Sequence, residues 1–154
     1  MKEITLTKIS LFFLTVSLAL LSCQSNSMQE NKPEEFSISV SRGGGFTGLT
    51  NGFTLKSKGD ILYWQKYING KDTILWRATD DINKILVYKN KLISSGILAV
   101  EFNTTGNVTN YLAYSNYDTT YNWSWKEHDE QVPADVRQWF NDVNEYCKSI
   151  KKEK

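Results

Sequence analysis

The residues of this chain that could carry out acid–base or metal chemistry lie in one short charged segment. It holds the single histidine, His128, and four carboxylates, Glu127, Asp129, Glu130 and Asp135. A histidine beside carboxylates can carry general acid–base catalysis. A zinc site, however, needs three or four converging ligands, and the chain has no His-Glu-x-x-His motif and no paired cysteines. We expect a solvated loop histidine and no catalytic or metal site, with an enzyme that uses His128 and these carboxylates as an alternative.

Two further chemistries are disfavoured by spacing. A calcium loop places its oxygen ligands at defined intervals around a glycine, and the carboxylates near His128 do not follow that pattern. A hydrolase elbow of the type Gly-x-Ser-x-Gly is absent from the chain as well. The carboxylates precede a predicted helix, where negative charge is stabilised by the helix dipole. We therefore expect no cofactor.

The most distinctive motif is a glycine-rich segment that consists of Gly43, Gly44, Gly45, Phe46, Thr47 and Gly48. A phosphate-binding loop would continue with a Lys-Ser/Thr pair and a helix, whereas Leu49-Thr50 and a predicted strand follow here. Two interpretations stay open. The glycines could serve positive φ angles or close backbone approach, or the segment could be a partner-binding loop that presents Phe46.

The start of the chain has the composition of an export signal. Lys2 and Lys8 precede an apolar run from Ile9 to Leu21, which is typical of a secretion signal and shorter than the roughly 20 residues that span a membrane. The run ends in Leu20-Leu21-Ser22-Cys23, which resembles the lipobox of bacterial lipoproteins. We predict a signal peptide over residues 1–22 and lipidation at Cys23, with an ordinary signal peptide as the alternative.

The segment after Cys23 is too polar to fold by itself. Residues 24–35 contain one apolar residue, so we predict a flexible tether over residues 23–35. Cleavage removes two lysines and one glutamate and leaves the mature chain near neutrality, which gives no basic excess for nucleic acid. Once Cys23 is lipidated, Cys147 has no cysteine with which to pair, and we expect it to be a small buried hydrophobic residue.

Hydrophobic periodicity places the remaining elements. Apolar and polar residues alternate from Phe36 to Arg42, as in a half-buried strand. Asn69-Gly70 predicts a tight hairpin turn whose residues both have positive φ. The predicted strands cover residues 36–42, 52–58, 61–68, 72–78, 97–103, 108–115 and 121–126.

Two amphipathic helices complete the pattern. The first is predicted after Asp80-Asp81, which can cap it, and ends at Ser94-Ser95-Gly96. Its core-facing side holds Ile82, Ile85, Leu86, Lys89, Leu92 and Ile93, with the lysine at the edge. The second follows Pro133, and its apolar side holds Val136, Trp139, Phe140, Val143, Cys147 and Ile150.

These elements predict an α+β fold. We expect a mostly antiparallel sheet of six to seven strands with both helices packed on one face. A single domain covers residues 36–150, and residues 151–154 form a charged tail. Tyr121, Trp123 and Trp125 alternate along one strand. We interpret them as core residues, although carbohydrate-binding platforms have the same pattern.

The segment Ser41 to Gly48 and the helix after Pro133 resemble a widespread set of small uncharacterised lipoproteins of the Bacteroidota. More distantly, the arrangement is similar to emfourin, a protein inhibitor of thermolysin-type metalloproteases. The similarity spans most of residues 36–150 in outline, and the hairpin over Ile61 to Ala78 departs from it. The resemblance implies a non-enzymatic protein that could inhibit a protease through the Gly43–Gly48 loop.

The function expected from these observations is a lipid-anchored envelope protein that binds another protein or an envelope component. The membrane partner is implied by lipidation of Cys23, and nucleic acid is not an expected partner. In Bacteroidota lipoproteins, surface export resembles a sorting process that reads acidic residues just after the cysteine. Here the first acid is Glu30. We therefore expect the periplasmic face of the outer membrane, with surface display as the alternative.

Overall fold

A computed structural model of the chain describes residues 34–45 and 47–150. The predicted signal peptide, the predicted lipidation site Cys23, most of the predicted tether, Phe46 and the tail 151–154 lie outside the described residues. The helices within the described ranges include none that is long and apolar enough to cross a membrane.

The described residues form one six-stranded antiparallel sheet. Its strands are β1 (Ser37–Gly44), β2 (Leu49–Lys56), β3 (Asp60–Tyr67), β4 (Thr73–Thr79), β5 (Val108–Ser115) and β6 (Thr120–Lys126). The order across the sheet is β4-β3-β2-β1-β5-β6, so that β1 pairs with both β2 and β5. The prediction of an α+β fold with an antiparallel sheet is confirmed.

Two helices bury their apolar sides against this sheet. Helix α1 (Ile82–Ser94) follows β4, and helix α2 (Ala134–Ser149) ends the described chain. Buried residues of both helices belong to the same core as the strand residues that alternate inward, among them Ile38, Val40 and Leu55. Trp123 and Trp125 are buried and Tyr121 is partly buried in that core, which confirms their interpretation as core residues.

Helix α1 begins and ends where local chemistry requires. The carboxylate of Asp81 accepts a hydrogen bond from the backbone N–H of Asn83 at 2.9 Å and caps the helix. Gly96 adopts a left-handed conformation with φ of 74° after the C-terminus. Lys89 is more buried than we predicted, since its side chain lies against Phe36 and its ammonium group pairs with Glu34.

The predicted strand over residues 97–103 is wrong. Gly96 turns the chain sharply, and Ile97–Ala99 form a single turn of 3₁₀-helix. Ile97 is buried there, whereas Val100 is 41% exposed. The following residues do not form a strand but join β6 by a parallel bridge between Asn103 and Ser124 and by a backbone hydrogen bond of 2.9 Å from the N–H of Thr104 to the carbonyl of Ser124.

The predicted hairpin between β3 and β4 is present, but its turn differs from the prediction. Five residues connect the strands, and the backbone N–H of Gly70 donates to the carbonyl of Tyr67 at 2.8 Å. Neither Asn69 nor Gly70 has a positive φ. A bulge at Tyr63/Trp64 shifts the register of these two strands, which accommodates a longer turn than two residues.

Candidate ligand-binding groove

The first two residues of the glycine-rich segment, Gly43 and Gly44, belong to β1, so our prediction of a loop that begins at Gly43 is wrong. Strand β1 continues through Gly44, and the turn after it is closed by a 3.3 Å hydrogen bond from the N–H of Gly48 to the carbonyl of Gly45. A Cβ on Gly43 would overlap Thr50 on the neighbouring strand. Gly44 has φ of 116°, and a Cβ there would overlap the carbonyl oxygen of Asn107.

The turn is also held by its surroundings. A Cβ on Gly48, which has φ of 58°, would lie 3.3 Å from Cβ of Ile68 in the next hairpin turn. Gly45 and Thr47 at the tip are exposed, and Phe46 lies outside the described residues. Backbone geometry therefore explains most of these glycines, and the exposed tip residues leave the partner-binding interpretation open.

The acid–base residues predicted around His128 do not converge. His128 is exposed and adopts φ of 63°, a left-handed conformation that histidine tolerates better than most residues. Asp129 turns inward and accepts hydrogen bonds from Thr104 at 2.6 Å and from the N–H of Gln131 at 3.2 Å. These bonds, that of Thr104 foremost, lower the pKa of Asp129.

The carboxylates of Glu127 and Asp135 interact with different parts of the structure. Glu127 lies 3.7 Å from Arg42, and the carboxylate of Asp135 accepts from the N–H of Val136 at the start of α2. No group of three histidine, cysteine or carboxylate side chains in the described ranges is placed to hold a metal ion. Cys147 is fully buried, and burial raises the pKa of its thiol to about 12. It is therefore a core residue.

A row of aromatic side chains crosses the helix-facing side of β2, β3 and β4, and we had not predicted it. Phe53 pairs with Tyr63, and Tyr63 pairs with Trp76. The ring centroids lie 5.0 Å apart for the first pair and 5.9 Å apart for the second. Phe53 is buried, whereas Tyr63 and Trp76 are partly exposed. We call these three residues the aromatic row.

A row of polar side chains lies on the same side of the sheet, beside the aromatic row and at the next inward-facing position of each strand. Arg42 on β1 pairs with Asn51 on β2 and with Asn110 on β5. The Arg42 Nε donates to Asn110 Oδ1 at 2.8 Å. On the other flank, Gln65 Nε2 donates to Asn51 Oδ1 at 3.0 Å. Because these side chains bond to one another across strands, the row is held in a defined conformation.

Helix α2 forms the opposite wall. Asn141, Asn144, Glu145 and Lys148 recur at helical spacing beside its buried stripe. Lys148 Nζ donates to Glu145 Oε1 at 2.8 Å, and the amide of Asn144 donates to the carbonyl of Phe140 at 2.8 Å. The side-chain amide of Asn141 has no hydrogen-bond partner in the described part of the chain.

Together these residues enclose a groove of about 500 Å³, which we call the α2 groove. Its lining consists of Arg42, Asn51, Gly52, Phe53, Tyr63, Trp76, Asn141, Asn144, Glu145, Lys148 and Ile150. The volume falls within the range of ligand pockets, roughly 300–1,000 Å³, which typically combine aromatic side chains with a few placed polar groups. The arrangement suits binding of a ligand that has an apolar part and several hydrogen-bonding groups.

A smaller cavity of about 240 Å³ adjoins the α2 groove and shares Arg42 and Asn141 with it. We call it the arginine cavity. It is lined by Arg42, Asn110, Trp125, Glu127, His128, Arg137, Phe140 and Asn141. Of the residues that the sequence singled out around His128, Glu127 and His128 itself line this cavity.

Sequence reasoning missed the groove for a definable reason. Strand alternation indicates that Phe53 and Tyr63 face inward, and helical spacing places Asn141 and Lys148 beside the apolar stripe. Neither pattern specifies the register between strands, nor the part of the sheet that α2 leaves uncovered. A polar residue, Arg42, at an inward position of the alternating strand was the available signal.

Comparison with known proteins adds no family to this geometry. No model of a known protein family matches the chain, and a search of curated proteins found no relative.

Proposed function

We propose that this chain is a lipid-anchored cell-envelope protein whose domain is a non-enzymatic binding module with the α2 groove as its ligand site. The observation that carries the proposal is the partial exposure of Tyr63 and Trp76 on the floor of a groove of about 500 Å³. The envelope location rests on the lipobox-like sequence that ends at Cys23, outside the described residues.

The aromatic row supports binding through its energetics and its rigidity. Covering apolar surface contributes about 25 cal/mol per Å². Helix α2 leaves part of Tyr63 and Trp76 exposed, so a ligand that covers this surface is stabilised by its burial. Both side chains project from paired strands, and sites on strands are held more firmly than sites on loops. Little ordering cost then accompanies binding.

The polar lining supports selectivity. Arg42 and Asn51 are oriented by hydrogen bonds to Asn110 and Gln65, while the amide of Asn141 has no protein partner within the described ranges. Oriented polar groups beside an aromatic floor select ligands that can hydrogen-bond there.

Protease inhibition is a second candidate, and one observation favours it. Gly45 and Thr47 form an exposed hairpin tip, and the adjoining strand ends are constrained by close contacts at Gly44 and Gly48. A rigid, exposed turn suits insertion into a partner's cleft. The resemblance to emfourin points to the same segment.

Site-specific photo-cross-linking in intact cells tests the proposal. A photoreactive phenylalanine analogue would replace Trp76 in the groove, Leu62 on the opposite face of the sheet, or Thr47 at the hairpin tip. Leu62 is a matched control because it is also partly exposed and pairs with Arg77 on the outward side of β4. We expect an adduct at position 76 and none at position 62.

The other outcomes separate the candidates. An adduct at position 47 alone would show that the partner binds at the hairpin tip and not in the groove, and it would favour protease inhibition. Adducts at position 62 but not 76, or at none of the positions, would contradict ligand binding in the α2 groove.

A further inference from the structure

We infer that the arginine cavity is a carboxylate-binding subsite of the α2 groove, and that the ligand is an extended peptide whose terminal carboxylate pairs with Arg42 and Arg137. The inference rests on the proposed function of the groove, and it specifies the chemical class of its ligand. It follows from how the two guanidinium groups are held, from the charge of the cavity, and from the continuity of the two cavities.

Arg137 is oriented by a neutral acceptor. Its Nη1 donates to the backbone carbonyl of Asp129 at 2.8 Å, and no carboxylate lies within 4.0 Å of its guanidinium in the described ranges. Its guanidinium therefore has no ion-pair partner within 4.0 Å in these ranges, although the Asp129 carboxylate attracts it from a longer distance, and its position is defined. A guanidinium offers five N–H donors in a fork that matches a carboxylate.

Arg42 is held in a similar way. Its Nε donates to the amide oxygen of Asn110 at 2.8 Å, which is again a neutral acceptor. The nearest carboxylate oxygen, of Glu127, lies 3.7 Å from its Nη1, beyond hydrogen-bonding distance. Both side chains are about half exposed, so this ion pair is weak. Arg42 thus keeps donors for a second anion.

The charges that line the arginine cavity favour an anion. Among the residues that line the cavity, Arg42 and Arg137 are positive and Glu127 is negative, which leaves an excess of positive charge on the lining. The carboxylate of Asp129, which does not line the cavity, attracts Arg137 from a longer distance. Two guanidinium groups that line one cavity repel each other, and a carboxylate between them would relieve that repulsion. A structural role alone would be served better by closer pairing with Glu127.

The groove beyond Arg42 fits a peptide better than a free anion. Arg42 and Asn141 line both cavities, so a ligand anchored at the arginines continues onto the aromatic row. Trp76 and Tyr63 can cover an apolar side chain, and the amides of Asn141 and Asn51 can pair with peptide N–H and C=O groups. A free phosphate would leave the aromatic floor uncovered.

Binding of matched probe peptides to the full-length mature protein in detergent tests the inference. The probe is acetyl-Gly-Ala-Phe with a free carboxylate, and its partner is the same peptide with a C-terminal amide. We expect the acid to bind at least about tenfold more tightly than the amide, because charge-assisted hydrogen bonds are the stronger ones. Calorimetry measures both affinities.

Substitutions test whether the preference for the acid over the amide arises in the arginine cavity. Arg137→Lys and Arg42→Lys keep the charge but lose the fork geometry, and each should weaken binding of the acid about tenfold and bring the affinity of the acid close to that of the amide. Arg77→Lys is the matched control, because Arg77 is exposed and pairs with Leu62 away from the groove. An unchanged melting temperature confirms that each variant is folded.

Three outcomes would overturn the inference. Equal binding of acid and amide, both weakened by Trp76→Ala, would leave the groove as a binding site but remove the carboxylate subsite. If inorganic phosphate binds in a way that requires Arg137 and the peptide acid does not bind, the ligand of the cavity is a phosphate and not a peptide. Binding of neither peptide nor phosphate would contradict an anion subsite, while cross-linking at position 76 would still test the groove separately.

Discussion

The phenol of Tyr146 donates a hydrogen bond of 2.9 Å to Oδ2 of Asp80, which joins α2 to the start of α1. Asp80 also accepts from the N–H of Asp81 at 2.7 Å and from Lys84 Nζ at 3.0 Å. These bonds lower the pKa of Asp80, with the N–H of Asp81 as the largest cause. Burial, followed by the bond to Asp80, raises the pKa of Tyr146.

Removing the hydrogen bond between Tyr146 and Asp80 should destabilise the fold. The contribution of each of these two groups to the free energy of unfolding depends on pH. A lowered carboxyl pKa contributes stability above its unfolded value near 3.8, and that contribution is lost as the pH falls through the folded value. The raised phenol pKa works in the opposite direction, so its contribution is present below about pH 10 and lost in stronger alkali.

The measurement is urea unfolding of Tyr146→Phe at neutral pH, where we expect a loss of about 1 kcal/mol. Tyr88→Phe is the control, because its ring lies beside that of Tyr146 and its hydroxyl has no hydrogen-bond partner among the residues described. Asp80→Asn should reduce the loss of stability in acid. Equal effects of the two tyrosine variants would contradict a specific role for the bond to Asp80.

The apolar stripe of α2 should account for much of the stability. Trp139 and Phe140 are 6% and 2% exposed, and Trp139 Nε1 donates to the carbonyl of Tyr88 at 2.9 Å. Truncation of either residue to alanine should cost roughly 3–5 kcal/mol. Gln138→Ala on the exposed side of the same helix should change the free energy of unfolding little. Unchanged melting temperatures for both core variants would contradict this packing.

Most of the fold could be predicted because local periodicity and packing agree. Alternation in β1 and the helical spacing after Pro133 each identify a buried side directly. The prediction for the segment after Gly96 failed because its apolar residues fit a strand that buries Leu98, Val100 and Phe102 as well as they fit a turn. Gly96 decides the outcome through its left-handed φ, which a sequence does not display.

The candidate site was far less accessible from the sequence. The α2 groove depends on the register that places Phe53, Tyr63 and Trp76 in one row, and the bulge at Tyr63/Trp64 alters that register. The glycine-rich segment attracted attention for its composition, but its glycines are largely required by contacts with Thr50 and Asn107. Long-range pairing, which local sequence does not encode, positions both features.

Lys89 and Glu34 should respond unequally to substitution. Lys89 is 6% exposed, and its Nζ lies 4.9 Å from the ring centroid of Phe36. The Glu34 side chain, in contrast, is 58% exposed. Glu34→Gln leaves a buried ammonium without its anion, and we expect a loss of about 1 kcal/mol, since water partly screens the pair. Lys89→Met leaves an exposed carboxylate in water and should cost less.

Urea unfolding of both variants at neutral pH measures the difference. The Glu34→Gln effect should shrink at high salt, because screening weakens partly exposed pairs. A larger loss for Lys89→Met than for Glu34→Gln would show that packing of the lysine stem, and not the ion pair, determines stability here.

Lipidation predicts a specific dependence on the thiol of Cys23. Cys23→Ser should abolish attachment of the acyl chains and leave an unprocessed or soluble protein, because the hydroxyl does not replace the thiol in that reaction. Membrane fractionation with detection of the domain measures the outcome. Cys147→Ser is the control for loss of a thiol, and retention of the Cys23→Ser protein with normal processing would contradict the lipoprotein proposal.

The glycine-rich segment allows structural and contact roles to be separated. Gly44 has φ of 116°, and a Cβ there would overlap the carbonyl oxygen of Asn107, so Gly44→Ala combines backbone strain with a clash. Gly45 has φ of 73°, with its nearest neighbour 3.8 Å from an added Cβ, and asparagine tolerates that conformation. We expect Gly44→Ala to cost more than about 1 kcal/mol and Gly45→Asn to cost clearly less.

Thermal unfolding of the two variants tests the structural part, and cross-linking at position 47 tests the contact part. Gly45→Asn changes the exposed tip without disturbing β1, so any loss of a partner in that variant would be a surface effect. If Gly44→Ala proves as stable as the unmodified protein, Asn107 must move away from β1 at little cost. The close approach of the two chain segments would then not be the reason for glycine at this position.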